Sequence, residues 1–506
     1  MSNQRHNAPI FLHANFDVTA LLHLAQRLRN VPCTCDLSQR PRSGSLNWVI
    51  FLTFDDGVEW VFRSPRTCYG LDEETAGVVL ASEAATIKYI RENSSIPVPE
   101  VFYYSPTRLN EIGVPFILMS KAKGSPLSTR SWHPQPYQIP KTAPRQCLKQ
   151  QEKKKVMRQL GEMISRLSCL RFDTMGSLFE DAGCFSVKTC LSPGLLLQDR
   201  HALQGFFRGP FCSEKDYYKS LLSAFFQHIQ FLTLEHHTFF APVPVPSEYN
   251  SYDSYLSATD KWNDYVTLGS KIDSSKNRLD YFITGRFLEG MIPSLITKSD
   301  AIMDSFEVGY PLHHPDLSAS NIFVDDDYNI TCIIDWAFSS SVPIAMLLAT
   351  PGLPHPRDEI EPALDLAFRA SVAKCFMREK NVTLHQPVWE MTRKVRLFTR
   401  LTHLDALQDY NLFAELYTLV YKQQMSDIPT MFKEQYGEPA VRDMKKILVA
   451  DDQSSSDIER NEKAYFSNVE PKRHTLAKKL TLVSVMSRGF VADRKLWHWI
   501  EDAEIL

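Results

Sequence analysis

Residues 313–336 read HHPDLSASNIFVDDDYNITCIIDW. The polar run 326–329 separates two short apolar runs, residues 322–325 and 330–334, so the spacing predicts an antiparallel hairpin. In such a pair the start of the first strand lies beside the end of the second. Asn321 stands just before the first run and Asp335 just after the second, so two oxygen ligands fourteen positions apart in sequence should come within several Å of each other. Mg²⁺, a small hard cation, takes one or two protein oxygens and fills its octahedron with water and phosphate oxygens. Asp316, in the loop five residues before Asn321, can face the same end without being used as a ligand. A free carboxylate there suits accepting a proton from an attacking hydroxyl. The plain alternative is three unrelated residues that cap turns. A spacing of five followed by an apolar hairpin closed by Ile333-Ile334-Asp335 favours the shared site.

Toward the N-terminus, residues 47–54 (NWVIFLTF) and 58–63 (VEWVFR) are β-branched and aromatic runs split by Asp55-Asp56-Gly57, a hairpin signal. Residues 73–93 read as a helix with Leu80, Ala84, Ile87 and Ile90 on one face. Pro97 and Pro99 break the pattern, and residues 101–104 and 116–119 supply two more strands. From about Gln151 long helical patterns take over, at 156–171, 216–232, 251–268, 280–304, 360–378 and 392–424. The fold class is therefore α+β and bilobal: a small N-terminal antiparallel β lobe with one helix, and a large, mostly α-helical C-terminal lobe. Clefts between such units are where ligands bind. Glu83 falls within the apolar stripe of the 73–93 helix, where a carboxylate without a partner is costly. Arg63, ending the preceding strand, is its natural partner.

His314-Pro315-Asp316-Leu317-Ser318-Ala319-Ser320-Asn321, followed by Ile334-Asp335-Trp336, resembles the catalytic and metal-binding motifs of the aminoglycoside phosphotransferase family, which shares the bilobal protein kinase-like fold. The chain is similar in particular to fungal-type phosphotransferases of unknown acceptor, over roughly residues 40–350. The resemblance implies Asp316 as catalytic base, Asn321 and Asp335 as holders of Mg²⁺, and His314 as a brace for the catalytic loop. It also makes Arg63 and Glu83 look like the strand–helix pair that positions the α- and β-phosphates of ATP. Arg stands where the commonest pattern has Lys; its guanidinium can still hold phosphate, though it is wider and more rigid. Gly44 and Ser45, before the first strand, occupy the place of a phosphate-covering loop, with one glycine rather than three; a plain hairpin entry explains them nearly as well. Residues 116–122 (FILMSKA) resemble the strand and hinge between lobes, where Met119 would line the adenine pocket and backbone groups from Ser120 to Ala122 would bind the adenine edge. On this reading residues 1–40 form an N-terminal helical extension, 41–122 the nucleotide-binding lobe, 123–450 the catalytic and acceptor-binding lobe, and 451–506 a helical tail.

The wider composition narrows the partners. With 506 residues, 44% hydrophobic and 23% charged, the chain can bury a sizeable core, and its net charge of −3 offers no global basic field for nucleic acid or an anionic membrane. No apolar run reaches the ~18 residues needed to cross a bilayer. Ten cysteines without a CxxC pair suggest neither a disulfide scaffold nor a zinc site, and Cys33 and Cys35 read as packing. The expected compartment is reducing and cytoplasmic; Arg5, Arg27 and Arg29 with the single acid Asp17 keep mitochondrial import as a minor alternative. Asp358-Glu359-Ile360-Glu361 reads as a solvated helix start, with attraction of a cationic acceptor as its alternative. Residues 132–150 and 451–461, His236-His237 and the Lys153–Lys155 run read as surface or exposed loop. The expected activity is ATP-dependent transfer of a phosphoryl group to a hydroxyl of a small molecule. A catalytically poor kinase-like protein that binds nucleotide or a partner is the alternative from another class. A protein kinase is disfavoured, because no Ala-Pro-Glu segment follows Trp336.

Overall fold

A computed structural model describes residues 8–66, 70–132, 146–234, 239, 249, 251, 254–255, 257–259, 262, 273–296, 308–404, 409–423, 428–465, 467, 471, 475 and 479. The bilobal α+β fold expected from the sequence is present. Six antiparallel strands form the N-terminal sheet: β1 (Cys33–Thr34), β2 (Arg42–Ser43), β3 (Asn47–Phe54), β4 (Glu59–Pro65), β5 (Val101–Ser105) and β6 (Phe116–Ser120). Their order is β1-β3-β4-β6-β5, with β2 also on β3. Alternation decides the faces: Trp48, Ile50, Leu52 and Phe54 of β3 are buried while Thr53 is exposed. Gly57, at φ 81°, makes the turn into β4.

Helices cover both faces of this sheet. Helix α1 (Val18–Arg29) is capped by Asp17, whose carboxylate accepts from the Thr19 and Ala20 N–H groups at 2.8 and 3.0 Å. It packs Leu21, Leu24 and Ala25 against Trp48, Ile50, Phe62 and Phe116, so the segment before residue 40 shares the core of the sheet. Helix α2 (Glu73–Asn93) lies on the other face, with Leu80 and Ala84 against Ile117 and Met119. Its C-terminal half, through Ile87 and Ile90, joins the core cluster of the second lobe that holds Leu160, Ile333 and Trp336.

The C-terminal lobe is built on α3 (Gln150–Leu167), α4 (Glu214–Phe231), α5 (Ser275–Met291), α6 (Pro362–Lys380), α7 (Gln386–His403), α8 (Asp409–Tyr421), α9 (Ile428–Gln435), α10 (Pro439–Ala450) and α11 (Ser455–Tyr465). The pattern 392–424 predicts one helix; the structure has two, because Leu404 takes left-handed φ 51° and ends α7. Residues 451–461 were expected to be loop, yet α11 begins inside them, where the Ser454 hydroxyl accepts from the Asp457 N–H. Most of 251–268, together with 133–145 and His236-His237, lies outside the described residues. Lys153 is buried rather than on the surface, with Nζ 3.5 Å from Glu361 Oε1 and 5.5 Å from the Trp132 ring.

Among the smaller strands, β7 (Ser125–Pro126), β12 (Ile322–Val324) and β13 (Ile330–Ile333) form one antiparallel sheet, and β8 (Arg171–Phe172), β11 (Tyr310–His313) and β14 (Ser340–Ser341) another. Gly124 takes φ +83°, and a Cβ there would lie 2.3 Å from the Val324 carbonyl oxygen, so only glycine lets β7 close on β12. The hairpin β9 (Ser177–Asp181) and β10 (Cys184–Lys188) falls between the expected helices 156–171 and 216–232, where the sequence reading named no strand. Its turn residues Ala182 and Gly183 both have positive φ, 49° and 82°, as a tight two-residue hairpin requires.

This hairpin clamps α2. Lys88 Nζ lies 2.6 Å from both carboxylate oxygens of Glu180, and the Tyr89 ring sits between Phe172 and Phe185. Lys88→Met is expected to lower stability by about 1 kcal/mol, the scale of a partly exposed ion pair. The accompanying change is faster amide exchange in the C-terminal half of α2 and in residues 177–188. Unchanged exchange in both segments would show that the rings alone hold the clamp. No helix among the described residues is long and apolar enough to cross a membrane.

Candidate active site

Residues 314–321 lead into the antiparallel hairpin that the spacing predicts. Ile322 pairs with Ile333, and the Ile334 N–H donates to the Asn321 carbonyl at 3.0 Å, which sets Asn321 and Asp335 at the same end of the β12–β13 pair. The Ile333 N–H donates to the Pro97 carbonyl at 2.8 Å, tying the hairpin to the segment after α2. Asp335 adopts φ 63°, a left-handed conformation that Asp tolerates better than most residues.

His314 supports this loop from beneath. Its Nδ1 accepts from the Asp316 N–H at 3.1 Å, its Nε2 lies 3.0 Å from the Ile334 carbonyl, and its ring meets Trp336 edge-on at 4.6 Å. An Nδ1 acceptor and an Nε2–H donor define a neutral imidazole. Burial pushes its pKa down to about 4, so it stays neutral at physiological pH. It is a structural link between the two arms of the site.

Asn321 orients Asp316. Its Nδ2 donates to the Asp316 carbonyl at 3.0 Å and to Asp316 Oδ2 at 2.9 Å. With the amide nitrogen turned to Asp316, the amide oxygen is directed away from it and can serve a cation. Asp316 Oδ1 is buried and has no hydrogen-bond partner among the described residues, an atom held ready for an incoming donor. Burial, and then the negative charge of Asp335, raise the Asp316 pKa above the ordinary carboxylate value; the Asn321 amide and the Ser318 hydroxyl pull the other way.

Arg63 joins the lobes. Its Nη1 pairs with Glu83 Oε1, and its Nη2 donates to Asp335 Oδ1 at 2.6 Å. The guanidinium and the Glu83 side chain are 8% and 3% exposed, whereas the Asp335 side chain is 39% exposed and so open to a further ligand. Burial alone would drive the Glu83 pKa up, and it remains raised even though Arg63 opposes the shift. The sequence reading paired Arg63 with Glu83 but missed Asp335. The signal available was the guanidinium itself, a rigid fork with two arms.

The nucleotide-side residues are less gathered. Gly44 and Ser45 are exposed, and Gly44 is engaged in its own turn: its N–H donates to the Asn47 carbonyl and its carbonyl accepts from Arg66 Nη1, both at 2.9 Å. Leu46 of the same loop packs with Val79, Ala337 and Phe338. Met119 is buried beside Leu80 and Ala84. The Ser120 N–H donates to the Glu100 carbonyl at 2.8 Å, and the Ser120 hydroxyl accepts from the Glu100 N–H at 2.9 Å, so of the expected backbone hinge groups the Ser120 N–H is not open to an adenine edge. Ala122 follows, half-buried.

Among the described residues no three His, Cys, Asp or Glu side chains gather into a metal cage. The donors at the cleft are the Asn321 amide oxygen and the partly exposed Asp335 carboxylate. Two hard oxygen donors with room for other ligands fit Mg²⁺ bound together with phosphate better than a closed protein site.

A bilobal α+β protein with an acid–amide–acid cluster at the junction of its lobes is thus defined. No family model matches the chain. It is 35% identical over 136 residues to the subtelomeric hrmA-associated cluster protein of Aspergillus fumigatus, which spans 27% of this chain and 23% of that protein. It is 24% identical over 314 residues to the altered inheritance of mitochondria protein 9, mitochondrial, of Meyerozyma guilliermondii, 60% of this chain and 48% of that protein. The chain thus spans between 15% and 48% of the length of the curated relatives it matches. Among solved structures, the macrolide 2'-phosphotransferase MphH of Brachybacterium faecium is similar at 14% identity and TM-score 0.36, covering 86% of this chain and all of that one. The spectinomycin phosphotransferase APH(9)-Ia, solved with ADP and spectinomycin, is similar at 11% identity and TM-score 0.33, covering 85% and 98%.

Proposed function

We propose that this protein is an ATP-dependent phosphotransferase that moves the γ-phosphoryl group to a hydroxyl of a small molecule. What supports the reading is Asp316, its Oδ1 without a partner among the described residues, bonded to Asn321, together with an Asp335 held by Arg63 at the same end of the hairpin as Asn321. Asn321 and Asp335 would hold Mg²⁺, which supplies charge neutralisation at the phosphates. Arg63, kept in place by Glu83, offers its guanidinium to the α- and β-phosphates. Met119 and Ala122 would line the adenine side, with Gly44 and Ser45 as the cover of the phosphates. Asp316 orients the acceptor hydroxyl and takes its proton. His314 holds the Asp316 backbone at the right height.

The reading is tested by titrating the protein with ATP and Mg²⁺ in a thermal-shift assay and then measuring phosphate transfer to a panel of hydroxyl compounds. Binding together with transfer supports it. Binding without transfer to any compound favours a catalytically poor nucleotide-binding protein, the reading that the engaged Ser120 N–H favours. The proposed compartment is the cytoplasm, with the mitochondrion, for which several relatives are named, as the alternative that cell fractionation decides.

A pH profile follows from the charge arrangement. A general base works only when deprotonated, and burial with the neighbouring Asp335 raises the Asp316 pKa. Transfer should therefore fall on acidification with a midpoint above the roughly 4 of an ordinary carboxylate. A rate that stays flat down to about pH 4 would remove Asp316 from that role.

A further inference from the structure

Cross-strand register fixes which residues share one face of the N-terminal sheet. Arg42 of β2 pairs with Val49 of β3, Val49 with Arg63 of β4, and Arg63 with Ile117 of β6. Side chains paired in this way point to the same side. That side is turned to α2 and the second lobe, since Arg63 reaches Glu83 and Asp335 across it and Ile117 packs on Leu80 and Ala84. Trp48, one residue from Val49, points the other way and packs with Leu21 of α1. Arg42 therefore stands on the cleft face two strand spacings from Arg63, about 10 Å between backbones, with the half-buried Val49 between them.

The other groups that could meet a polyphosphate on this face are already engaged. Both arms of the Arg63 fork are taken, one by Glu83 and one by Asp335. In the loop that would cover the phosphates, the Gly44 N–H donates to the Asn47 carbonyl at 2.9 Å. Arg66 pins that loop as well, its N–H donating to the Leu46 carbonyl at 2.8 Å and its Nη1 to the Gly44 carbonyl at 2.9 Å. Arg42 differs from all of these. It is exposed, its guanidinium carbon lies 5.0 Å from the centroid of the Phe51 ring, and it pairs with no carboxylate among the described residues. Lys121 lies 5.2 Å from the same ring, but its ammonium is held by Glu59. A guanidinium resting on a ring is steadied by the contact, while its N–H donors stay available to an anion.

Resting on the phosphotransferase reading, we propose that Arg42 is a second phosphate-binding residue of the nucleotide site, its guanidinium turning from the Phe51 ring onto the polyphosphate of ATP from the side opposite Arg63. Guanidinium groups hold phosphate through paired, charge-assisted hydrogen bonds. A polyphosphate lying beneath Val49 then has one guanidinium on each flank. Arg63, bound to Glu83 and Asp335, is the fixed member of the two, and Arg42 is the one that responds to the ligand. What Arg42 contributes depends on phosphate rather than on the base, so it acts on ATP and ADP and not on adenosine. Because Arg42 is exposed, its contribution is screened by salt.

The test is calorimetric binding of ATP, ADP and adenosine to the full chain with Mg²⁺, at low and high ionic strength, in the parent, Arg42→Gln and Arg42→Lys. Arg42→Gln is expected to bind ATP about tenfold more weakly, the scale of one charge-assisted hydrogen bond, and to bind adenosine as the parent does. Arg42→Lys, which keeps the charge without the fork, should fall between the two for ATP. The deficit of Arg42→Gln should narrow as salt is raised. The exposed position of Arg42 predicts that both variants melt, without nucleotide, at the temperature of the parent. Lys445→Gln, on the exposed face of α10, removes one positive charge elsewhere and should bind ATP as the parent does. Undiminished ATP binding in Arg42→Gln, an equal loss for ATP and adenosine, a deficit unmoved by salt, or the same loss in Lys445→Gln overturns the proposal. Parent binding is read first: a parent that binds ATP as tightly as Arg42→Gln does loses this inference alone, and a parent that fails to bind ATP loses the phosphotransferase reading and this inference with it.

Discussion

Asp316→Asn is expected to lower phosphoryl transfer by about 10²- to 10⁴-fold, the range over which a positioned general base contributes, while ATP and Mg²⁺ still raise the melting temperature as in the parent protein. The change is nearly isosteric. The carbonyl of the new amide can still accept from Asn321 Nδ2, which now donates to Asp316 Oδ2 at 2.9 Å, so the loop should keep its shape. What disappears is the capacity of the buried, unpartnered Oδ1 to take a proton. Nucleotide binding should not suffer, because Asn321, Asp335 and Arg63 are untouched. Equal loss of binding and turnover would place Asp316 among the nucleotide ligands instead.

Arg63→Met should have the largest effect on stability. The substitution leaves Glu83, 3% exposed, without its cation and next to the charge of Asp335. Removing one partner of a buried pair costs about 3–5 kcal/mol, because the remaining charge stays desolvated. Glu83 can escape only by taking up a proton, so the loss should grow as pH rises. Unfolding by urea at two pH values measures this. The double variant Arg63→Met with Glu83→Gln should be less destabilised than the single one, since a neutral amide replaces the stranded carboxylate. Additive effects would mean that the two side chains act independently. Arg63→Lys keeps a charge but lacks the fork that reaches Glu83 and Asp335 together, so weaker ATP binding than in the parent is expected even where the fold is retained.

The fold was legible where periodicity was strong. The 73–93 helix and the 47–54 strand have the boundaries that alternation and helical spacing predict, and Arg63 meets Glu83 because an acid in an apolar stripe demands a partner. The geometry of the 313–336 segment was equally readable, since a hairpin brings its two ends together whatever surrounds it. Contacts between distant segments left no such trace. Asp335 lies 272 positions from Arg63, and no local pattern announces that pairing. The Lys153 run looked like surface by charge alone, but Trp132 and Glu361 supply a ring and a counter-ion that allow one of its members to be buried. The β9–β10 hairpin was hidden by the helices around it, although Ala182-Gly183 between alternating residues was a usable turn signal.

Helix α2 serves two masters: Leu80 and Ala84 belong to the sheet above, Ile87 and Ile90 to the core below. The upper and lower halves therefore have no seam at which one can loosen while the other stays intact. Heating should produce a single calorimetric peak instead of two steps, and neither half, expressed by itself, would be expected to stay in solution with the shared helix stripped of one of its sides.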